Sequence, residues 1–370
     1  MQTDFPPVTA DWAAPFAGAL WLDIATRAQL LPQLPRSLLL HAGPPFAGAL
    51  PAPVRQAAVQ ALIFEGLAPD TATAQALLAT GAATLAPAQD HGVVTPLAQV
   101  VSASMPLAVV GDARRRAYAP LVEGPPPALR FGTADPAALV RLRAVSELGV
   151  QRIAPLLRAR PVPLAPVIEQ GLSQGDECHG RTGAANLALL GQLRGLGPSD
   201  LALLSGSPGF VLTILMAAAA WRLQAADAPI SAVGGNGVAF GIRLRGDRTW
   251  RTIAARPPVG TRFPGFEHSE ALGAIGDSAV LDFCGLGGQA LAAAPLLRDE
   301  WRHSLPADLD ARRALVVDSA SGLVDPQRVA RAHAAPLVNL AVLDAAGTAG
   351  LVGRGWYAAE PALFHPQAAS

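Results

Sequence analysis

The chain has 370 residues, of which 51% are hydrophobic, and its 28 basic residues balance its 28 acidic residues. This balance gives no electrostatic reason to expect a nucleic acid as partner, and the apolar half of the chain is enough to build a sizeable core. All the basic residues are arginine, so enzymes that need a Schiff-base lysine, a pyridoxal-phosphate anchor or a phosphate-loop lysine are excluded. Any bound anion must be held by arginine, by backbone N–H groups or by a helix N-terminus.

The cysteine content and the apolar runs indicate the compartment. Only Cys178 and Cys284 are present, which excludes a disulfide framework and a four-cysteine zinc site. The first ten residues lack the basic and apolar regions of a secretory signal. The longest nearly continuous apolar run, at 210–221, is too short to cross a bilayer. We therefore expect a cytoplasmic protein without membrane contact.

The first third of the chain alternates between helical and strand-like patterns. In chain order these patterns predict a helix at 21–31, a short buried strand at 38–40, a pair of helices at 53–80 and a buried strand at 106–110. We assign residues 1–125 to an N-terminal α+β domain, with a helical insertion at about 50–83.

The rest of the chain begins with a helix-rich region and ends in β structure. The patterns predict helices at 135–160, 164–173, 182–195 and 210–225, followed by Gly-rich strands at 234–245. We assign residues 126–230 to a helix-rich middle region and residues 231–370 to a C-terminal α+β domain. The expected fold class is therefore multidomain α+β, with mixed sheets of short strands.

The segment GDECHGR, at 175–181, holds the densest group of reactive side chains. The Cys178 thiol, beside an imidazole and an arginine, is a candidate nucleophile with a lowered pKa. Asp176, Glu177 and His179 are candidate acid–base groups or half of a metal site. The structural alternative is a helix N-terminus capped by Asp176, with Arg181 in a salt bridge. The density of these groups in a mostly apolar chain favours a functional site.

Two further histidines, His41 and His91, lie like His179 in loops that contain glycine. A histidine in a loop that follows a buried strand is well placed to reach a ligand. The spacing of the histidines fits no short zinc motif of the HExxH type. We keep all three as candidate site residues.

A Gly-rich turn at 285–288 precedes an Ala-rich run that extends to Leu297. Such a turn can present the N–H groups of Gly287 and Gly288 to a phosphate or carboxylate, although close helix packing is an equally good interpretation. Just upstream, Asp277 and Ser278 add a carboxylate and a hydroxyl group. These four residues are candidate substrate-binding positions.

Several segments taken together resemble a known family. They are HAGPP (41–45), SASMP (102–106), GDECHGR (175–181), NGVAFGIR (236–243), IGDSAV (275–280) and GLGGQALAAAP (285–295). Their order and spacing over about 41–340 resemble the YlbE-like family, which supplies one subunit of oxamate carbamoyltransferase in allantoin-degrading bacteria.

The resemblance implies an α+β multidomain protein with a small helical insertion. It also implies the phosphorolysis of oxalurate to oxamate and carbamoyl phosphate, in a complex with two other subunits. The family's marked positions correspond here to His41, His91, Asp176, Glu177, His179, Arg181, Asn236, Arg243 and Asp277. Arginines would bind the phosphate and the ureido acid, and His179 or His91 would transfer the proton.

Two other functions stay open at the level of sequence. One is a metal-dependent hydrolase of an N-carbamoyl or amide substrate, which takes divalent-metal ligands from His41, His91 and the 176–179 segment. The other is a non-catalytic scaffold subunit. A neutral chain rich in Ala and Leu gains little protection from charge repulsion, so we expect a homo-oligomer or a hetero-complex with other carbamoyltransferase subunits.

Overall fold

The computed structural model describes residues 10–207 and 209–365. The α-helices are α1 (Arg27–Leu30), α2 (Ala52–Phe64), α3 (Thr71–Ala79), α4 (Ala137–Leu148), α5 (Ala154–Ala159), α6 (Ala165–Ser173), α7 (Gly183–Leu190), α8 (Pro198–Ser205), α9 (Phe210–Leu223), α10 (Ala279–Phe283), α11 (Pro295–Trp301), α12 (Leu309–Val316) and α13 (Pro326–Ala332). Single 3-10 turns lie at Ala10–Phe16, Ala88–His91, Leu129–Phe131, Gly287–Gln289, Leu291–Ala293 and Pro361–Phe364, and a π-helical turn at Gly149–Ile153 joins α4 to α5.

The strands are short and are spread along the chain. They are β1 (Leu20–Thr26), β2 (Leu38–His41), β3 (Thr84–Pro87), β4 (Pro106–Gly111), β5 (Arg116–Pro120), β6 (Val162–Pro163), β7 (Ile230–Asn236), β8 (Ala239–Leu244), β9 (Arg251–Ala254), β10 (Val259–Arg262), β11 (Ile275–Gly276), β12 (Leu337–Leu343) and β13 (Leu351–Ala358). Three antiparallel sheets have the strand orders β5-β4-β1-β6, β11-β7-β8-β9 and β10-β13-β12, and β2 pairs with β3 in parallel. Helices and several small sheets in one chain confirm the predicted α+β class.

The predicted pair of helices at 53–80 is confirmed by α2 and α3. Gly66, just after α2, has a φ of 69°, which suits a residue without a side chain at the end of a helix. Asp70 caps α3, because its carboxylate accepts a hydrogen bond from the N–H of Thr73 at 2.8 Å. The pair connects β2 to β3, and parallel neighbours need a crossover of this kind.

The predicted helix at 21–31 is wrong over most of its length. The segment forms β1, which pairs with β4 and β6, and only α1 is helical. Trp21 and Ile24 are fully buried in the main core, so pairing and burial between two strands outweigh the local helical pattern. The strands predicted at 38–40 and 106–110 are confirmed by β2 and β4.

The main core surrounds α9, whose residues are almost all buried and which packs on β4 and β5. Among the described residues, no single helix has both the length and the apolar composition needed to cross a bilayer. β6, from the region predicted to be the middle domain, extends the sheet of the N-terminal region. The division into three domains stays a prediction.

Candidate active site

A cavity of about 440 Å³ lies where the loop before α7 meets β12 and β13. His179 and Arg181 come from this loop, Arg130 from the 3-10 turn before α4, and Arg354 from β13. Ser278, directly before α10, also lines the cavity. Three guanidinium groups and one imidazole therefore surround the same space, which is the chemistry expected of a site for anionic substrates.

The imidazole of His179 is paired with a buried carboxylate. Its Nδ1 lies 2.8 Å from Oδ2 of Asp282, whose Oδ1 accepts hydrogen bonds from the N–H groups of Gly288 at 2.6 Å and Asn339 at 3.0 Å. Burial lowers the pKa of His179, but Asp282 and then Glu177 raise it, and the net pKa lies above the ordinary value of 6.5. The pair thus favours the protonated imidazole, which can donate a proton near neutral pH.

Glu177 is fully buried and shapes the loop that carries His179. Its carboxylate accepts hydrogen bonds from the N–H groups of Gly180 and Arg181, the latter at 2.8 Å, and from Nδ2 of Asn339 at 2.8 Å. Burial raises the pKa of Glu177 in spite of these donors. Every one of these partners lies within the protein, so the role of Glu177 here is to fix the loop.

Asp176 caps α7. Its carboxylate accepts hydrogen bonds from the N–H groups of Ala184 at 2.7 Å and Ala185 at 3.1 Å, as the structural alternative expected. Burial raises the pKa of Asp176 despite these two N–H groups and Arg181. That alternative also predicted a salt bridge for Arg181, and this prediction is wrong for the described residues. Arg181 lines the cavity instead, and its Nε is buried without a hydrogen-bond partner.

The prediction that Cys178 has a lowered pKa is wrong. Its side chain is fully buried and its Sγ lies 3.9 Å from the carbonyl oxygen of Ile168. Burial, with a further contribution from Glu177 and Asp176, raises the pKa of the thiol well above its ordinary value. A thiol that stays protonated is a poor nucleophile, so proximity in sequence to His179 does not activate it.

The Gly-rich turn does not start an Ala-rich helix. It forms two 3-10 turns, and a regular helix begins only at Pro295. The N–H of Gly287 donates to the carbonyl of Glu177 at 2.8 Å, and that of Gly288 to Asp282. These two N–H groups therefore hold the histidine loop and its carboxylate instead of a ligand.

We expect Gly287→Ala to reduce activity about 10²-fold, because small displacements of reacting groups have effects of this size. The φ of Gly287 is 53°, and an added Cβ would overlap Oδ1 of Asp282 and lie 3.1 Å from Cβ of His179. Turnover and the thermal midpoint measured on the same samples test this, with Gly48→Ala as control because a Cβ there meets no atom within 4 Å. Equal turnover in the two variants would contradict the assignment of the His179–Asp282 pair to the active site.

Asp277 lies outside the cavity, although its neighbour Ser278 lines it. Oδ1 of Asp277 accepts hydrogen bonds from the N–H of Gly43 at 2.8 Å and from Nε2 of Gln89 at 2.5 Å, and Oδ2 accepts one from the N–H of Thr95 at 2.9 Å. Burial raises its pKa to about 7, although the three donors oppose this. The carboxylate thus acts as a clamp that joins three chain segments far apart in the sequence. It does not line the cavity around His179.

The other residues marked by the resemblance gather around this clamp. Asn236 donates to the carbonyl of Pro44 at 2.9 Å, and Arg243 donates to Asp90 at 2.7 Å. His41 lines a separate pocket of about 350 Å³, and the half-buried His91 lines neither pocket. The predicted site residues therefore form two groups, of which only the one around His179 surrounds the larger cavity.

His41 is expected to make the protein sensitive to acid. Burial lowers its pKa from 6.5 to about 4, so the unfolded chain binds a proton more readily, and stability is lost as the pH falls from 6.5 towards 4. Asp277 has a pKa raised from 3.8 to about 7, so its contribution to stability increases as the pH falls, opposite to that of His41. We expect His41→Asn to gain stability relative to the unaltered protein over this range, by up to about 3 kcal/mol. Urea titrations at several pH values measure this, and a difference independent of pH would contradict it.

The sequence analysis does not identify Asp282 or Asn339. Both carry a signal that is visible in the sequence, since each is the polar residue within an apolar run: AVLDF in α10 and LVNLAVL in β12. A buried polar side chain needs a partner, so such a residue points to an internal hydrogen bond. Arg130 and Arg354 carry no comparable signal.

The ligands proposed for a metal do not converge. His41 and His91 each lie two residues from a donor to Asp277, Gly43 and Gln89 respectively, whereas Asp176 and His179 line the cavity around His179. Within 10–207 and 209–365, no three His, Cys, Asp or Glu side chains are grouped so that they could hold a metal ion. The sequence hypothesis of a metal centre built from these three segments is therefore not supported by the geometry.

Comparison with known proteins places the chain in a family. The model of the family described as oxamate carbamoyltransferase subunit AllG matches residues 83–278. The Escherichia coli (strain K12) protein "Oxamate carbamoyltransferase subunit AllG" is 30% identical, over 93% of this chain and 91% of that protein. The uncharacterized protein YahG of the same strain is 27% identical over 88% and 77% of the two chains.

A solved structure has the same fold. The crystal structure of a conserved protein of unknown function from Enterococcus faecalis V583 superimposes with a TM-score of 0.83 and 25% identity, over 96% of this chain and 94% of that one. The resemblance derived from the motifs is thus confirmed at the level of the family. This chain belongs to the family of oxamate carbamoyltransferase subunit AllG.

Proposed function

We propose that this chain is a subunit of a carbamoyltransferase that cleaves oxalurate, or a related ureido acid, with phosphate to give oxamate and carbamoyl phosphate. The observation that carries the proposal is the His179–Asp282 pair at a cavity that is also lined by Arg130, Arg181 and Arg354. Membership of the family supports a transferase-related role. The proposal adds the substrates and the location of the chemistry.

The reaction needs a proton donor at the leaving nitrogen. A phosphate oxygen forms a bond to the carbamoyl carbon, the bond from that carbon to the oxamate nitrogen breaks, and this nitrogen takes up a proton. His179 suits this step because Asp282 raises its pKa and fixes its orientation. We assign His179 as the general acid and Asp282 as its positioning residue.

The reaction also needs groups that bind the phosphate and the substrate carboxylate. Arg130 is paired with Glu123 at 3.2 Å, and Arg354 donates from Nε to Glu300 at 3.0 Å. The charge of Arg181 acts on the carboxylate of Asp176, but its Nε is buried without a hydrogen-bond partner, so its guanidinium group is the most available of the three to an anion. We assign Arg181 as the main oxyanion ligand, since guanidinium groups bind carboxylate and phosphate through two N–H groups.

In this proposal the chain is active only together with other subunits. The family description and the printed name of the AllG protein both refer to a subunit, so we expect turnover only when the chain is combined with its partners. The test is to purify the chain alone and with the proteins encoded next to it, and to follow carbamoyl phosphate release from oxalurate and phosphate. Turnover by the complex supports the proposal, and a complex without turnover on this class of substrate would reject it.

Arg181→Lys is expected to lower kcat/KM by about 10–100-fold, because lysine offers a point charge in place of two aligned N–H groups. Arg302→Lys is the control, since Arg302 is exposed and pairs with Asp299 at 2.8 Å. The steady-state rates of both variants are compared with that of the unaltered complex. If Arg181→Lys behaves like the control, Arg181 does not bind the substrate.

A further inference from the structure

A second cavity, of about 1030 Å³, lies between the N-terminal 3-10 turn, the C-terminal end of α9 and α12 with the loop that follows it. It shares no lining residue with the cavity around His179. Its walls include two indole rings, Trp12 and Trp221, and the guanidinium groups of Arg115, Arg222 and Arg313.

Arg313 is half-buried and has no acidic partner among the described residues. Its guanidinium carbon lies 4.1 Å from the ring centroid of Trp12, and Nη1 donates to the carbonyls of Gly285 at 2.5 Å and Gln289 at 3.0 Å. No described carboxylate forms an ion pair with it, and burial alone lowers its pKa to about 10. A cation that is partly withdrawn from water and has only neutral partners loses part of its solvation, and an anion beside it would offset that loss.

The carboxylates that line this cavity do not supply the missing charge, because each is already engaged. Asp227 accepts two hydrogen bonds from Arg222 at 3.0 and 2.9 Å, Asp310 pairs with Arg298 at 2.8 Å, and Asp318 accepts hydrogen bonds from the N–H and hydroxyl of Ser321, both at 2.8 Å. The positive charge of Arg313 therefore remains uncompensated within the described residues.

Arg115 offers a second guanidinium group on the same cavity. Its guanidinium carbon lies 5.3 Å from the ring centroid of Trp221, and its Nη2 forms a long ion pair with Asp112, at 3.9 Å. An arginine that lies over an indole ring can still present N–H groups to a carboxylate or a phosphate. We propose that this cavity binds a small oxyanion, a carboxylate or a phosphate, through Arg313 and Arg115.

The proposed oxyanion site is connected to the candidate active site by a short loop. The two carbonyls held by Arg313 belong to Gly285 and Gln289, and the residues between them include Gly287 and Gly288, which hold the histidine loop and Asp282. A substitution of Arg313 therefore also disturbs the active site. Arg115, which donates to no carbonyl of this loop, gives the cleaner variant.

The test is a binding assay that needs no turnover. Inorganic phosphate and oxamate are titrated separately into the full-length chain, with its partner subunits if a complex forms, at constant ionic strength. Trp12 and Trp221 contribute to the tryptophan fluorescence together with the other four of the six tryptophans, of which Trp301 lines the active-site cavity. The thermal midpoint reports on binding to the folded state. We expect one of the two anions to change both the fluorescence and the thermal midpoint. A response to phosphate indicates a phosphate ligand, and a response to oxamate indicates a carboxylate ligand.

Variants separate this site from the active site. The active site itself binds phosphate and oxamate through Arg181 in our proposal, so the comparison is made in an Arg181→Gln background, where we expect anion binding to remain. In that background we expect Arg115→Gln and Arg313→Gln to weaken the remaining binding about 10-fold or more, because each removes charge-assisted hydrogen bonds, and Arg302→Gln to leave it unchanged. Arg115→Gln decides the question if Arg313→Gln does not fold. Equal affinity in Arg115→Gln, loss of all binding in Arg181→Gln, or no response to either anion would each overturn the proposal. None of these results depends on which reaction the complex catalyses.

Discussion

Replacing His179 with alanine is expected to reduce the turnover of the complex by about 10²–10⁴-fold, the usual cost of losing one positioned acid–base group. The imidazole lines the cavity and is held by a 2.8 Å hydrogen bond to Asp282. His303→Ala is the matched control, since His303 is exposed and its Nε2 accepts a hydrogen bond from its neighbour Arg302. Carbamoyl phosphate release and the thermal midpoint are measured on the same samples, so that loss of activity is distinguished from loss of folding.

The neighbouring carboxylate provides a sharper test of the same assignment. Asp282 raises the pKa of His179, so Asp282→Asn should lower that pKa. If His179 acts as a general acid, activity declines as the pH rises through its pKa, and this decline should begin at a lower pH in Asp282→Asn. A purely structural role for Asp282 would lower the rate at every pH without moving the profile. Near-normal turnover in His179→Ala would instead favour a scaffold subunit whose partners carry out the chemistry.

Local sequence patterns correctly predict those helices and strands whose buried residues follow the periodicity of the element itself. The helix pair α2 and α3 has its own caps and turn, so its short-range signals suffice. β1 shows the opposite case: its seven residues become a strand because β4 and β6 lie on either side of it, and neither partner is visible in the local sequence. The four small sheets and their strand orders arise from such long-range pairing, which periodicity alone does not specify.

The candidate site was predictable where its residues are consecutive. GDECHGR supplies His179 and Arg181, and the density of polar groups is enough to single it out. Asp282 and Asn339 complete the site from 103 and 162 residues away, measured from His179 and Glu177, so only the folded chain brings them there. Conversely, adjacency misleads for Cys178, whose fully buried thiol is kept protonated by the same packing that holds its neighbours.

Asp277→Ala is expected to destabilise the fold by about 3 kcal/mol or more, because it removes the acceptor of two buried N–H groups and of one half-buried amide group, at about 1–3 kcal/mol each. Those donors belong to Gly43, Gln89 and Thr95, which lie in segments far apart in the sequence. Asp325→Ala is the control: that carboxylate caps α13 through two N–H groups at the surface, a contact worth about 1 kcal/mol. Urea unfolding of both variants gives the comparison.

The pH dependence distinguishes the loss of this clamp from a general loss of packing. Burial raises the pKa of Asp277 from 3.8 to about 7, so its contribution to stability is complete below about pH 4 and is lost as the pH rises through 7. The alanine variant lacks this titration, and its deficit relative to the unaltered protein should therefore be larger at about pH 5 than at about pH 8. A deficit that is constant or grows with pH would show that Asp277 is ionised throughout, as the three N–H donors by themselves would favour.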